Sequence, residues 1–300
     1  MRIIRLFPAV TCGIPATQNC IEPTQMSFLR GHLSTLLLLC ASIIIAPSPS
    51  QAQTQYQSVQ PQQVDRHPDT NTSVEDKEVT WRSLPKDFLH DQKDIWLFPS
   101  QLIQGRHWVP TASIAATTGA LIVADAHVMP YFQSHAQNLD DLNDTFDSTI
   151  TTAEVAAVPV AFLVAGYWRH DQHELGTAIL AGEAYADSAV VDLAMKAVTR
   201  RKRPSDVPPG GKFDDTFFSG GKSPFKGSSF PSGHAAGVFS VATVVATRYQ
   251  RHRWAPWLAY GFAAAISFSR ITTSSHFPSD VFLGAALGYT ITRYEVLRPH

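Results

Sequence analysis

Cysteine is confined to the first forty residues, at Cys12, Cys20 and Cys40, and the rest of the 300-residue chain has none. A disulfide framework or a thiolate metal site is therefore excluded downstream. Excess charge is missing too: Lys+Arg 24 stands against Asp+Glu 25, a formal net charge of -1. No bulk field recruits nucleic acid or an anionic surface, so attraction for an anion has to come from local placement. Strand-like alternation is absent after residue 100, and a mean hydropathy of -0.06 is low for a chain that crosses a membrane many times. Between Gln53 and Lys77 large apolar residues are scarce and Gln, Thr, Asp and Pro abound. Such a segment cannot bury enough surface to order itself and reads as a linker.

What is present begins with a short basic stretch after Met26, an apolar run from Leu33 to Ile45, and Ser50-Gln51-Ala52. That layout predicts a secretory signal peptide over residues 1–52, with Met26 the more natural start, cleaved after Ala52. An uncleaved anchor is the competing reading, although the run is short of the ~20 residues of a span. Leu39 before Cys40 disfavours a lipoprotein signal. Either way the remainder is expected to be exported to a bacterial cell envelope, in the membrane or the periplasm. Residues 53–95 are expected to hold the linker and an amphipathic segment that begins near Trp81 and reaches Leu102. Residues 96–300 should then form one all-α domain.

Six stretches rich in Ala, Leu and Val predict its core helices: 108–128, 151–168, 175–199, 234–249, 254–268 and 278–294. Glu183, Asp187 and Asp192 in the third would be expensive in lipid, whereas Gly119, Gly166, Gly182, Gly237, Gly261, Gly284 and Gly288 permit the close contacts of membrane bundles. Composition alone leaves both a soluble and an integral bundle open.

Three clusters carry chemistry. Lys196 and Arg203 are seven positions apart, about two helical turns, which predicts one face of the third helix, stopped by Pro204. Arg200, Arg201 and Lys202 crowd the same segment, and the bland reading is a solvated basic helix end. Ser232 sits where an N-cap belongs, in Pro231-Ser232-Gly233-His234, so free amides and the helix dipole would face an anion beside His234. The bland reading here is an ordinary capped start. Arg270, His276 and Asp280 form the third cluster. The spacing of four lets the Asp280 carboxylate accept from one ring nitrogen of His276 and leave the other with its lone pair. Alone, it could equally be a capping aspartate beside an incidental histidine.

Taken together, Lys196-x6-Arg203-Pro204, Pro231-Ser232-Gly233-His234 and Ser269-Arg270-x5-His276-x3-Asp280 resemble the three-part signature of the type-2 phosphatidic acid phosphatase and vanadium haloperoxidase superfamily. The resemblance covers roughly residues 175–288 without a departure, and His276-Phe277-Pro278-Ser279-Asp280-Val281 leans toward the lipid phosphatase branch. It implies a helical bundle whose clusters converge at one end. It further implies that Lys196, Arg203, Arg270, the Ser232 hydroxyl and the Gly233 amide hold a phosphoryl group, while His276 attacks phosphorus. His234 would protonate the leaving group and then activate water, with Asp280 holding His276.

On that reading no metal or other cofactor is needed, because fixed cations stand where magnesium would otherwise sit. The substrate would be a phospholipid, an isoprenoid diphosphate or a small phosphate ester, with membrane association and no nucleic-acid partner. The rivals are a vanadium-dependent haloperoxidase with vanadate in the same cage, a soluble periplasmic acid phosphatase, a transporter with intramembrane charges, and a non-catalytic anion binder. Gly221-Lys222-Ser223 fails as a phosphate loop because position 216 is Thr. The glycine-rich stretch from Pro208 to Gly227 is expected to be a loop over the site. Asp125-Ala126-His127 and His170-Asp171 are read as satisfied or exposed polar residues rather than metal ligands.

Overall fold

The computed structural model describes residues 79–135, 148–208, 210–220 and 228–298. The expected signal segment, the linker as far as residue 78 and the Gly221-Lys222-Ser223 stretch lie outside these. Among the described residues the chain is all-helical, as the alternation-free sequence predicts. It forms α1 (Leu84–Ile103), α2 (Trp108–Ser134), α3 (Ser148–Arg169), α4 (Gln172–Thr199), a 3-10 turn (Pro204–Asp206), α5 (Gly233–Arg248), α6 (Ala255–Thr272), α7 (Pro278–Ile291) and a π turn (Thr292–Val296). The amphipathic segment is thus a helix in its own right, a seventh beside the six expected, and it runs through the boundary placed at residues 95 and 96.

The helix boundaries follow from local chemistry. Asp171 caps α4, its Oδ1 accepting the His173 amide at 2.8 Å. At the other end Arg200 adopts a left-handed conformation (φ 40°) and its amide returns to the Lys196 carbonyl, which closes α4 at Thr199. Lys196 and Arg203 are therefore not on one helix face, contrary to the spacing argument. The reason is that Thr199 to Lys202 pair instead with the following loop: Phe218 N donates to Thr199 O, Gly220 N to Arg200 O and Lys202 N to Thr216 O.

Helix α5 is the hub. It packs most extensively against α7, α6 and α4. From Ala235 to Ala246 it is buried except for the half-buried Phe239. The main core joins Leu180, Ala184, Val241, Val244, Ala263 and Ile266 across α4, α5 and α6. Fully burying a Leu, Val or Ile side chain of this kind contributes roughly 1.5–3 kcal/mol. The close approach of α7 to α5 requires glycine at two points: a Cβ at Gly284 would land on the Ser232 carbonyl oxygen, and one at Gly288 on the Ala236 carbonyl oxygen. Across the α4–α5 seam Ser188 and Ser240 share a hydroxyl hydrogen bond.

Helix α2 differs from this core. Among the described residues it is the helix long and apolar enough to cross a membrane, and Trp108, Val109 and Val123 are exposed.

Candidate active site

The C-terminal ends of α4 and α6 and the N-terminal ends of α5 and α7 meet at one end of the bundle, and all eight residues singled out from the sequence lie on these ends or beside them. Ser232 N donates to the Asp280 carbonyl at 2.9 Å, joining the start of α5 to the first turn of α7. His276 N donates to the Arg270 carbonyl at 3.0 Å, which folds the α6–α7 connection back on itself. The His234 and His276 rings stand 6.4 Å apart between centroids. His276 is buried while His234 is half-buried.

Ser232 caps α5 as expected, its Oγ accepting the Ala235 amide at 3.4 Å. Gly233 opens the helix, so its amide is among the first-turn donors that have no acceptor within a helix. A side chain at Gly233 would collide with Asp192 Oδ2 at 2.8 Å and Lys196 Nζ at 3.0 Å, which places the Lys196 ammonium at the start of α5. Lys196 and Arg203 both act on His276 electrostatically, so the loop brings Arg203 back to the site even though the helix ends earlier. The Arg203 Nε is buried with no hydrogen-bond partner, and Arg203 forms no ion pair with a described residue. Arg270 is buried, with its Nε and Nη2 on the Ser269 hydroxyl at 3.2 and 3.0 Å, and its charge reaches Glu154 on α3.

The orientation of His276 differs from the sequence-based expectation. Its Nδ1 donates to the Ser229 carbonyl at 2.7 Å, whereas Asp280 Oδ2 is 3.7 Å away, an electrostatic rather than a hydrogen-bonding distance. The Asp280 carboxylate is engaged elsewhere. Oδ2 accepts the Phe277 amide at 2.8 Å at the start of α7, and Oδ1 accepts Arg201 Nη1 at 2.6 Å. A backbone carbonyl can only accept, so Nδ1 carries the proton and Nε2 is left with the lone pair. The tautomer is the one anticipated, fixed by a different group. Burial pushes the His276 pKa down, with the Asp280 carboxylate pulling the other way. The ring is thus favoured neutral.

Arg201 is the residue the sequence reading missed. It was grouped with Arg200 and Lys202 as a solvated helix end; those two are exposed, but Arg201 is 1 % exposed. Its Nη2 reaches Asp125 Oδ2 at 2.8 Å, Nη1 reaches Ser279 Oγ at 2.7 Å, and Nε reaches Thr216 Oγ1 at 3.0 Å. The rings of Phe277 and Phe217 lie 3.8 and 4.4 Å from the guanidinium carbon. Asp125 is the satisfied buried polar group expected, and it also accepts from Ser279 Oγ. Nothing local marks Arg201 apart from its neighbours; only the loop that pairs with residues 199–202 turns it inward.

A second acidic grouping, Asp91, Glu183 and Asp187, lies between α1 and α4, where Gln92 Nε2 donates to Asp187 Oδ1 at 2.8 Å. Asp187 precedes Lys196 by nine residues, about 13 Å along the helix, so this grouping is separate from the signature cluster.

The fold and site define a helical protein with two histidines set among fixed cations at the meeting point of four helix ends. Residues 175–298 match the model of the PAP2 superfamily. A curated relative named lipid A 1-phosphatase, from Porphyromonas gingivalis, is 38% identical over 65 residues, which cover 21% of this chain and 15% of that protein. The aligned part thus spans a small fraction of the relative's length. A solved structure, the first transmembrane PAP2-type phosphatidylglycerolphosphate phosphatase from Bacillus subtilis, is 17% identical with a TM-score of 0.36, over 68% of this chain and 93% of that one.

Proposed function

We propose that the protein is a metal-independent phosphohydrolase that removes phosphate from a lipid phosphate through a phosphohistidine intermediate. The observation that carries this reading is the placement of a neutral, tautomer-fixed His276 beside His234, Lys196 and Arg203, with the buried Arg203 Nε lacking a protein acceptor. Arg203, Lys196, Arg270, the Ser232 hydroxyl and the Gly233 amide bind the phosphoryl oxygens and neutralise charge as the transition state develops. His276 Nε2 attacks phosphorus in line, forming an N–P bond as the P–O bond to the leaving alcohol breaks. His234 gives that oxygen its proton, then takes one from the water that hydrolyses the phosphohistidine.

Lipid phosphates are favoured as substrates by the relative's name and by α2, whose 27 residues extend about 40 Å and expose apolar side chains suited to a membrane. The test is phosphate release from phosphatidate, an isoprenoid diphosphate and an aryl phosphate, with chelator present, by the wild-type protein and His276→Ala. Release that persists in chelator and vanishes in the variant is expected. Release that survives in His276→Ala, or is abolished by the chelator alone, would overturn this mechanism.

A further inference from the structure

The signature accounts for Lys196 but not for the carboxylate that holds it. Asp192 lies one turn earlier on α4, and its Oδ2 accepts Lys196 Nζ at 2.7 Å, with side-chain exposures of 8% and 17%. Both groups press on Gly233 at the opening of α5. The Asp192 charge also reaches His276, and its Oδ1 is buried without a hydrogen-bond partner. An anion therefore stands inside the cation cage. A phosphoryl group bound at the start of α5 must share Lys196 with this carboxylate and sit close to its negative charge.

We propose that Asp192 is a positioning residue. It aims the Lys196 ammonium at the α5 N-terminus and, by repelling bound phosphate, limits how tightly the site retains the inorganic phosphate it produces. The proposal rests on the phosphohydrolase reading and adds to it the regulation of product release. Uncompensated, the Gly233 amide at the start of α5 and the fixed cations would bind free phosphate strongly and stay inhibited by it. Asp192 offsets that attraction.

The experiment compares wild type, Asp192→Asn and Asp192→Glu. It measures inorganic phosphate binding by calorimetry, phosphate inhibition of aryl phosphate turnover, kcat and KM separately, and the thermal midpoint. Asparagine keeps an acceptor for Lys196 and removes the charge, so phosphate binding and inhibition should tighten about tenfold, the scale of one nearby charge in a partly solvated site. Both KM and kcat should fall, as tighter binding slows release. Glutamate keeps the charge and should leave phosphate affinity within about twofold of wild type. A role in packing alone predicts a lowered midpoint and kcat with phosphate affinity unchanged or weakened in Asp192→Asn, and that result would overturn the proposal. A wild-type protein that neither binds phosphate nor releases it from any substrate would refute the phosphohydrolase reading itself, and this inference with it. The two failures are thus distinguishable by wild-type behaviour.

Discussion

Replacing Arg201 with glutamine should cost more stability than any other single polar change at this end of the bundle. The guanidinium donates to Asp280, Ser279, Asp125 and Thr216 at 2.6 to 3.0 Å, and the Asp125 and Asp280 side chains are 1% and 0% exposed. Without it, two carboxylates stay buried with their main cation gone. Breaking a buried pair by removing one partner costs about 3–5 kcal/mol, since the remaining charge is neither solvated nor paired. Lost contact with the Phe277 and Phe217 faces adds roughly 1–2 kcal/mol, the range for a partly desolvated cation on an aromatic ring. These contributions overlap, so a loss of about 3–5 kcal/mol is expected overall. Equilibrium denaturation of the purified protein in mild detergent is the assay, with Asp125→Asn and the double variant completing a cycle. If the pair is coupled, the double variant loses less than the sum of the singles by about 1 kcal/mol or more. Arg201→Gln within about 1 kcal/mol of wild type would refute the assignment of Arg201 as the clamp on the two carboxylates, and strictly additive singles would refute its coupling to Asp125.

Two further outcomes follow from the geometry. Burial holds the His276 pKa below the ordinary value of about 6.5, so above that pH the ring is neutral in both the folded and the unfolded chain, and below it the unfolded chain takes up the proton first. Stability from this group is present above about pH 6.5 and is lost as the pH falls from there through the lower folded value; the acid limb of the kcat/KM profile should likewise lie below 6.5, and a limb above it contradicts a neutral nucleophile. Gly288→Ala drives a methyl onto the Ala236 carbonyl oxygen and should cost about 1–3 kcal/mol, whereas Gly182→Ala, with nothing within 4 Å, should be neutral or slightly stabilising. Equal melting points for the two alanine variants would show that α5 and α7 can move apart freely.

Much of this arrangement was readable because it depends on local rules. The Ser232 cap, the Pro278 start of α7 and the apolar runs of the helices depend on residues close in sequence, and the structure places the helix starts within about three residues of the expected ones, while α2 runs on to Ser134, beyond the expected end at residue 128. The misplaced features all depend on long-range pairing. Spacing put Arg203 on the α4 face, but backbone bonds from residues 216–220 to 199–202 end the helix first. Spacing gave Asp280 the hydrogen bond from His276, but Ser229, distant in sequence by 47 positions, supplies the carbonyl. Charge patterning called Arg201 solvated, because no local pattern shows that Asp125 and Asp280, 76 and 79 positions away, will meet it.

These long-range contacts make Arg201 the organiser of His276, the proposed nucleophile, by two routes. Its side chain grips the Asp280 carboxylate beside His276, and its backbone carbonyl accepts the Ser229 amide at 2.8 Å. The carbonyl of that same Ser229 fixes the His276 tautomer. Arg201 thereby spends its charge inside the protein and Lys196 is similarly paired with Asp192, whereas Arg270 acts only at a distance on Glu154, whose carboxyl burial pushes up to about 7. Arg203 differs: its backbone amide donates to Asp206, but its guanidinium Nε is buried with no hydrogen-bond partner among the described residues. On the proposed reading, a site whose cations are largely paired can still select an anion. On the proposed mechanism Arg203, whose guanidinium is paired least, supplies the largest share of the attraction for the phosphoryl group.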